Sequence, residues 1–176
     1  MKLRYHIPDQ LYYIQHFLDY DNYKGIHNSI FKERKKINLK SVGGTWDKSL
    51  IKNIKAPKRV EVSNYPPFEI LKTLTKQNKF FQLQLKKITT TIHYMEKGTG
   101  INWHSDNTWK YGATYYVNNR WSNQWGGEFM FTHNNGHGFI PVQGNSLLIV
   151  KAPINHKVNP VLSPTIPRIS VQMFMK

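Results

Sequence analysis

Lys87-Ile88-Thr89-Thr90-Thr91-Ile92-His93-Tyr94-Met95 and, beyond Gly98 and Gly100, Tyr111-Gly112-Ala113-Thr114-Tyr115-Tyr116-Val117-Asn118 are short runs of β-branched and aromatic residues set off by glycine, asparagine and charge. Runs of that composition with that punctuation read as strands. The same texture continues to the C-terminus. It predicts strands at Lys87–Met95, Asn102–Asp106, Tyr111–Asn118, Gly127–Thr132, Gly138–Val142, Ser146–Lys151, His156–Asn159 and Arg168–Met175. Eight short strands with no helix between them predict a double-sheet jelly roll (a double-stranded β-helix) rather than a parallel α/β sheet, whose strands alternate with helices.

Ahead of Leu83 the pattern changes. Pro8 followed by Leu11, Ile14, Phe17 and Leu18 places a proline at a helix start and apolar residues at three-to-four spacing behind it, which predicts a first helix. A second helix is expected from about Asn22 to Arg34. Lys35 to Pro57, with Gly43-Gly44 and scattered lysines, reads as an irregular segment suited to a lid or substrate loop. Pro66-Pro67 then opens a third helix through Ile70, Leu71 and Leu74, ending near Asn78. The expectation is a mainly β single domain over 1–176. It has a helical and loop N-terminal support at 1–80 and a jelly-roll core at 83–176.

With 39% hydrophobic and 14% aromatic residues the chain can fill a substantial core. It has no cysteine, so disulfides, zinc–cysteine sites, iron–sulfur clusters and thiol nucleophiles are excluded, and His, Asp and Glu remain as metal ligands. Charges and histidines interrupt every apolar stretch near the N-terminus, and no run is long enough to span a bilayer. The reading is an intracellular, cytoplasmic protein with no membrane contact. The net charge of +15 is concentrated in residues 1–87 and is densest from Lys32 to Arg59. That stretch could attract nucleic acid, an acidic protein or an anionic surface, or be a solvated basic face.

The chemistry centres on His104-Ser105-Asp106, with His156 fifty residues later and Arg168 twelve beyond that. Residues two apart in a strand point the same way, so His104 and Asp106 can act together. Two imidazoles and one carboxylate on one face of an octahedron leave three adjacent positions open, the arrangement of a non-heme iron(II) oxygenase. Taken alone, His-x-Asp is a common triplet and weak evidence. His133 and His137 are also four apart, but Asn134-Asn135-Gly136 between them reads as a hairpin turn. Trp103, Trp109, Trp121 and Trp125 lie near these motifs and either line a substrate groove or fill the core.

Ile92-His93-Tyr94-Met95-Glu96-Lys97-Gly98-Thr99-Gly100 leads into the His104 pair. Tyr115-Tyr116-Val117-Asn118, Trp121 and Gly126-Gly127-Glu128-Phe129 follow it. Pro141, Gly144 and Leu147-Leu148-Ile149-Val150 precede His156, and Arg168-Ile169-Ser170-Val171 opens the last strand. In this order and spacing the chain resembles the prolyl 4-hydroxylase branch of the iron(II)- and 2-oxoglutarate-dependent dioxygenases over about residues 88–176; nothing comparable covers 1–87. The resemblance implies iron held by His104, Asp106 and His156, with 2-oxoglutarate as co-substrate, O2 as oxidant and room for ascorbate. It implies that Arg168 pairs with the distal carboxylate of 2-oxoglutarate, as a planar guanidinium can. Tyr116 is a second donor to that carboxylate, Ser170 shares its strand face and could touch it, and Tyr94 would hydrogen bond nearer the iron-bound end. Arg168 departs from the lysine of the collagen-type hydroxylases, which weakens a collagen-like substrate and leaves the co-substrate intact.

The substrate expected from this branch is a prolyl residue in a peptide or protein. A nucleic-acid base is the second reading, from the Lys32–Arg59 stretch and the tryptophans that could stack on a flipped base. A non-catalytic cupin-like binding module is the third, opposed by Arg168, since a buried arginine needs an anionic partner.

Overall fold

The computed structural model describes residues 1–33, 40–41, 47–61, 68–77, 87–134 and 136–176. In chain order they form β1 (Lys2–Ile7), β2 (Leu11–Gln15), α1 (Tyr20–Glu33), β3 (Lys40–Ser41), β4 (Lys58–Glu61), α2 (Glu69–Lys76), β5 (Ile88–Met95), β6 (Ile101–His104), β7 (Tyr111–Tyr116), β8 (Phe129–His133), β9 (Gly136–Ile140), β10 (Ser146–Lys151), β11 (His156–Val158) and β12 (Arg168–Met175).

The last eight strands make the jelly roll. A major sheet runs β1-β2-β10-β7-β12-β5-β4-β3 and a minor sheet β6-β11-β8-β9, all pairs antiparallel. The central strand β12 pairs with β5 along its whole length, from Arg168 opposite Met95 to Met175 opposite Ile88, and with β7 on its other side. Strand alternation then fixes two faces. Ile92, Tyr94, Tyr115, Ile169, Val171 and Met173 turn outward and are buried with Ile26 and Ile30 of α1 and Leu71 of α2. Thr89, Thr91, His93 and Met95 turn into the barrel with Arg168, Ser170, Gln172 and Phe174.

The N-terminal segment departs from expectation. Leu11–Gln15 is a strand hairpinned to β1 and paired to β10, not a helix. The reason is that both faces of β2 are covered. Leu11 and Tyr13 pack inside the barrel, Ile14 packs on the helix side, and Phe17 and Leu18 follow it there. A strand buried on both faces loses its alternation and mimics helical spacing. The support is therefore partly sheet, since β2 and β4 extend the major sheet on opposite sides. Asn145 ties it down: its side chain accepts from the Leu18 amide at 2.9 Å, donates to the Leu18 carbonyl at 2.9 Å, and accepts from the Tyr115 hydroxyl at 3.1 Å.

The second helix forms at Tyr20–Glu33 and the third at Glu69–Lys76. Parts of the expected lid, 35–39 and 42–46, and the end of the third helix at Asn78 lie outside the described residues. The described remainder forms a turn at Lys48–Ile51 whose Leu50 packs against Met95, Ile101, Val158 and Val161. The His133–Gly136 turn is a two-residue hairpin, with His133 opposite Gly136 and Asn134 at φ 45°. Among the described residues no helix is long and apolar enough to cross a membrane.

Candidate active site

His104 ends β6 and His156 begins β11, and the antiparallel register sets them directly opposite each other. Their ring centroids are 4.2 Å apart. Asp106, two residues past His104, brings Oδ1 to 3.8 Å from His104 Nε2 and Oδ2 to 3.7 Å from His156 Nε2. One ligand atom from each of the three lies within 4.8 Å of the others. Both imidazoles use Nδ1 on a backbone carbonyl two residues earlier, His104 on Asn102 at 2.8 Å and His156 on Ile154 at 2.9 Å. Nδ1 therefore carries the proton, and the Nε2 lone pairs converge beside the carboxylate. Burial, with the neighbouring His104, pushes the His156 imidazole below the usual range, which favours its neutral, ligating form. Phe129 stacks on His156 at 4.9 Å and shields one side.

The triad opens on a cavity of about 320 Å³ whose walls include Arg59, Thr91, His93, Trp109, Thr114 and Gln172. At the base of the barrel Arg168 is 1% exposed. Its Nη1 donates to Ser170 Oγ at 3.1 Å and lies 3.2 Å from Met95 Sδ, while buried Nε and Nη2 make no hydrogen bond. Ser170 Oγ also accepts from Gln172 Nε2 at 3.2 Å, and Gln172 Oε1 accepts from Thr114 at 2.8 Å. With both Ser170 lone pairs engaged, its O–H is left to donate. Tyr116 lies against the guanidinium, 5.1 Å from ring centroid to Cζ, with a buried hydroxyl whose pKa burial pushes up to about 12. It is a phenol donor at any working pH. Two guanidinium nitrogens, a serine and a tyrosine thus present donors in one apolar interior, where an unpaired donor is costly and a carboxylate would satisfy several at once. The donor set fits the distal carboxylate of 2-oxoglutarate, and the two imidazoles with a carboxylate fit iron(II).

Local backbone aims Arg168. Asn118 donates to the Pro167 carbonyl and accepts from the Ile169 amide, both at 2.8 Å, clamping the residues on either side. Gly127, at φ 78°, leaves the room: a Cβ there would stand 2.8 Å from Arg168 Cδ. Gly126 before it, at φ 64°, lies so close to the Pro160 carbonyl that a Cβ has no room there either, so both members of the pair need to be glycine.

Tyr94 does not reach this site. The register that turns Arg168 and Met95 inward turns Tyr94 outward into the helix-side core, so it is the adjacent His93 that faces the cavity. Of the four tryptophans Trp109 lines the cavity. Trp121 donates to the Gly126 carbonyl at 2.9 Å and packs edge-on against Trp125, while Trp103 lies against His137 and Lys157. They form no stacking platform. Sequence reasoning missed Tyr13 and Ser146, whose buried hydroxyls make no hydrogen bond; Ser146 is directly opposite Tyr116, and Tyr13 is one strand further along the sheet. The phase of Tyr13 was hidden because β2 read as helix; Ser146 opens a strand that the sequence did predict, and only the register that sets it opposite Tyr116 marks it out.

Residues 90–176 match the model of the 2OG-Fe(II) oxygenase superfamily, and through them the chain belongs to that superfamily. It is a 2-oxoglutarate-dependent dioxygenase, a class that works with iron(II), 2-oxoglutarate and O2. No curated protein matches the chain. Among solved structures it is similar to a Pseudomonas putida prolyl 4-hydroxylase, at 14% identity over 95% of this chain and 92% of that one, TM-score 0.72. It is also similar to a Trichoplax adhaerens prolyl hydroxylase in complex with a hypoxia inducible factor oxygen degradation domain peptide fragment, at 14% identity over 96% and 84%, TM-score 0.79. A non-heme alpha-ketoglutarate-dependent epimerase of nogalamycin biosynthesis is similar at 11% identity over 96% and 78%, TM-score 0.68. At these identities the likeness establishes the fold, which hosts more than one chemistry.

Proposed function

We propose that the chain is a prolyl 4-hydroxylase-like enzyme that hydroxylates a peptide or protein, with iron(II) on His104, Asp106 and His156. Arg168, Ser170 and Tyr116 hold the distal carboxylate of 2-oxoglutarate. The observation that carries this reading is the buried guanidinium of Arg168, with Nε and Nη2 unsatisfied, in the same barrel as the converging Nε2 atoms of the two histidines. Bound iron and 2-oxoglutarate supply the oxidation, in which O2 and 2-oxoglutarate convert a substrate C–H to C–OH with release of succinate and carbon dioxide. The chain's own part is placement. Asn102 and Ile154 carbonyls fix the histidine tautomers, Phe129 keeps water from one side of His156, and Ser170 and Tyr116 donate to the carboxylate while remaining neutral. The peptide substrate is supported by the sequence resemblance around the site and by the peptide held by the Trichoplax adhaerens neighbour.

The test has two stages. Anaerobic iron(II) and 2-oxoglutarate should give a metal-to-ligand charge-transfer band. In air, proline-containing peptides should then stimulate succinate release with a gain of about 16 Da on proline. Stimulation by oligonucleotides alone would replace the peptide with a nucleic-acid substrate and leave the dioxygenase class intact.

A further inference from the structure

Gly112 sits in the middle of the major sheet for no reason that packing supplies. On β7 it lies opposite Val150 of β10 on one side and Phe174 of β12 on the other, in the row that faces into the barrel. Glycine weakens a strand interior and marks a place where another backbone or a ligand comes close. At Gly138 packing is the reason, because a Cβ there would run into the Phe131 ring. At Gly112 a Cβ would meet one atom of the described residues within 4 Å, Asp106 Oδ2 at 3.4 Å, an ordinary contact. Alanine fits, so what the glycine keeps open is space.

That space is a cavity of about 40 Å³ against the metal site, with Asp106 and His156 in its wall. Gly112, Phe129, Val150 and Phe174 line it with apolar surface. Its other polar side chains are already engaged: Thr114 donates to Gln172 Oε1 at 2.8 Å, and Gln172 Nε2 donates to Ser170 at 3.2 Å. A buried water needs several polar partners, whereas a dry apolar cavity takes small apolar molecules. Close-packed interiors do not leave such a void unfilled without cost. Its outer wall is thin. Ala152 and Ile154 belong both to this cavity and to a groove of about 840 Å³ outside it, bounded by the β1–β2, β8–β9 and β10–β11 connections.

We infer that the Gly112 cavity is a binding site for dioxygen, entered from the outer groove past Ala152 and Ile154. With 2-oxoglutarate and a substrate in the 320 Å³ cavity, a small apolar gas still reaches Asp106 and His156 from this side. The inference rests on the iron site and the oxygenase class, and the peptide reading does not enter it.

Xenon, which occupies dry apolar cavities, probes the site without turnover. Crystals of the protein loaded with zinc(II) and 2-oxoglutarate and pressurised with xenon should hold a xenon atom between Gly112, Val150 and Phe174. Gly112→Ala, which adds a methyl to that space, should exclude the xenon and keep or raise Tm, since alanine costs a strand less entropy than glycine. The second measurement mixes anaerobic iron(II)–2-oxoglutarate protein with rising O2 and follows decay of the charge-transfer band. At low O2, Gly112→Ala and Val150→Ile should each slow that decay several-fold, with the anaerobic band and the affinity for 2-oxoglutarate unchanged. Val150→Ile fills the cavity from the neighbouring strand, so it decides the matter if Gly112→Ala weakens the band through Asp106. Ordered water in place of xenon in the wild type overturns the site. So does a wild-type O2 dependence of band decay in Val150→Ile. Neither measurement uses a substrate, so failure of the peptide reading leaves both results standing.

Discussion

His104 and His156 face each other across the β6–β11 pair with ring centroids 4.2 Å apart, and each is held by a backbone carbonyl two residues before it. Because backbone carbonyls fix both tautomers, the two Nε2 lone pairs converge beside Asp106. Among the described residues these three form the one group of His, Asp and Glu gathered closely enough to hold a metal ion. His104→Ala or His156→Ala should therefore abolish iron binding at micromolar iron, read as loss of the charge-transfer band and of succinate release. Asp106→Ala should do the same, more leakily, because water or chloride can enter its place. Full turnover in either histidine variant would refute the site.

Arg168→Ala should raise the KM for 2-oxoglutarate and leave iron binding nearly intact, because the guanidinium sits at the barrel base with Ser170 and Tyr116, away from the metal ligands. A buried charge-assisted pair is worth roughly 2 to 5 kcal/mol, or some thirtyfold to several thousandfold in affinity. Steady-state kinetics with varied 2-oxoglutarate reads this directly. An unchanged KM would assign the carboxylate to another cation.

Gly127→Ala tests the aim of that arginine without touching its charge. The added methyl would stand 2.8 Å from Arg168 Cδ on a backbone with φ 78°, so Arg168 must shift and the backbone is strained as well. Stability should fall by about 1 to 3 kcal/mol. The KM for 2-oxoglutarate should also rise several-fold, while iron affinity measured without 2-oxoglutarate stays put. A Tm loss with an unaltered KM would make Gly127 structural only.

What could be read in the sequence tracks how many faces of a strand are distinguishable. Ser146–Lys151 and Arg168–Met175 have the limits their composition predicts, the first lying between Gly144-Asn145 and Pro153 and the second starting directly after Pro167. The grouping of His104, Asp106 and His156 was legible because the first two are near neighbours in sequence, although β6 ends at His104 and Asp106 stands just beyond it rather than in the strand that alternation assumed. Tyr94 was misplaced because likeness gives a position along the chain but not the phase of the strand, which here is fixed by Arg168 lying opposite Met95. Leu11–Gln15 misled for a deeper reason: covered on both sides, it carries no polar face to reveal a period of two. Arg59 was one charge among ten between Lys32 and Arg59, and only pairing with His93 sets it apart.

His93 gives the last prediction, on acid stability of the metal-free protein. Its imidazole is held at about 3 in the fold, by burial and then by the two arginines, against about 6.5 when unfolded. Between those values the unfolded chain binds a proton that the folded chain refuses. The stability this group contributes is complete above pH 6.5 and is lost as pH falls toward 3, at up to about 1.4 kcal/mol per pH unit. His156 is also depressed, by burial and then by His104, so the wild-type slope has sources besides His93. His93→Gln keeps those sources and removes the one in question. Urea unfolding at pH 6.5, 5.5 and 4.5 should therefore show wild type losing stability faster than the variant by about one proton's worth per unit. Parallel slopes would mean that His93 accepts a proton inside the barrel, and that the cavity wall it shares with Arg59 is less cationic than its geometry implies.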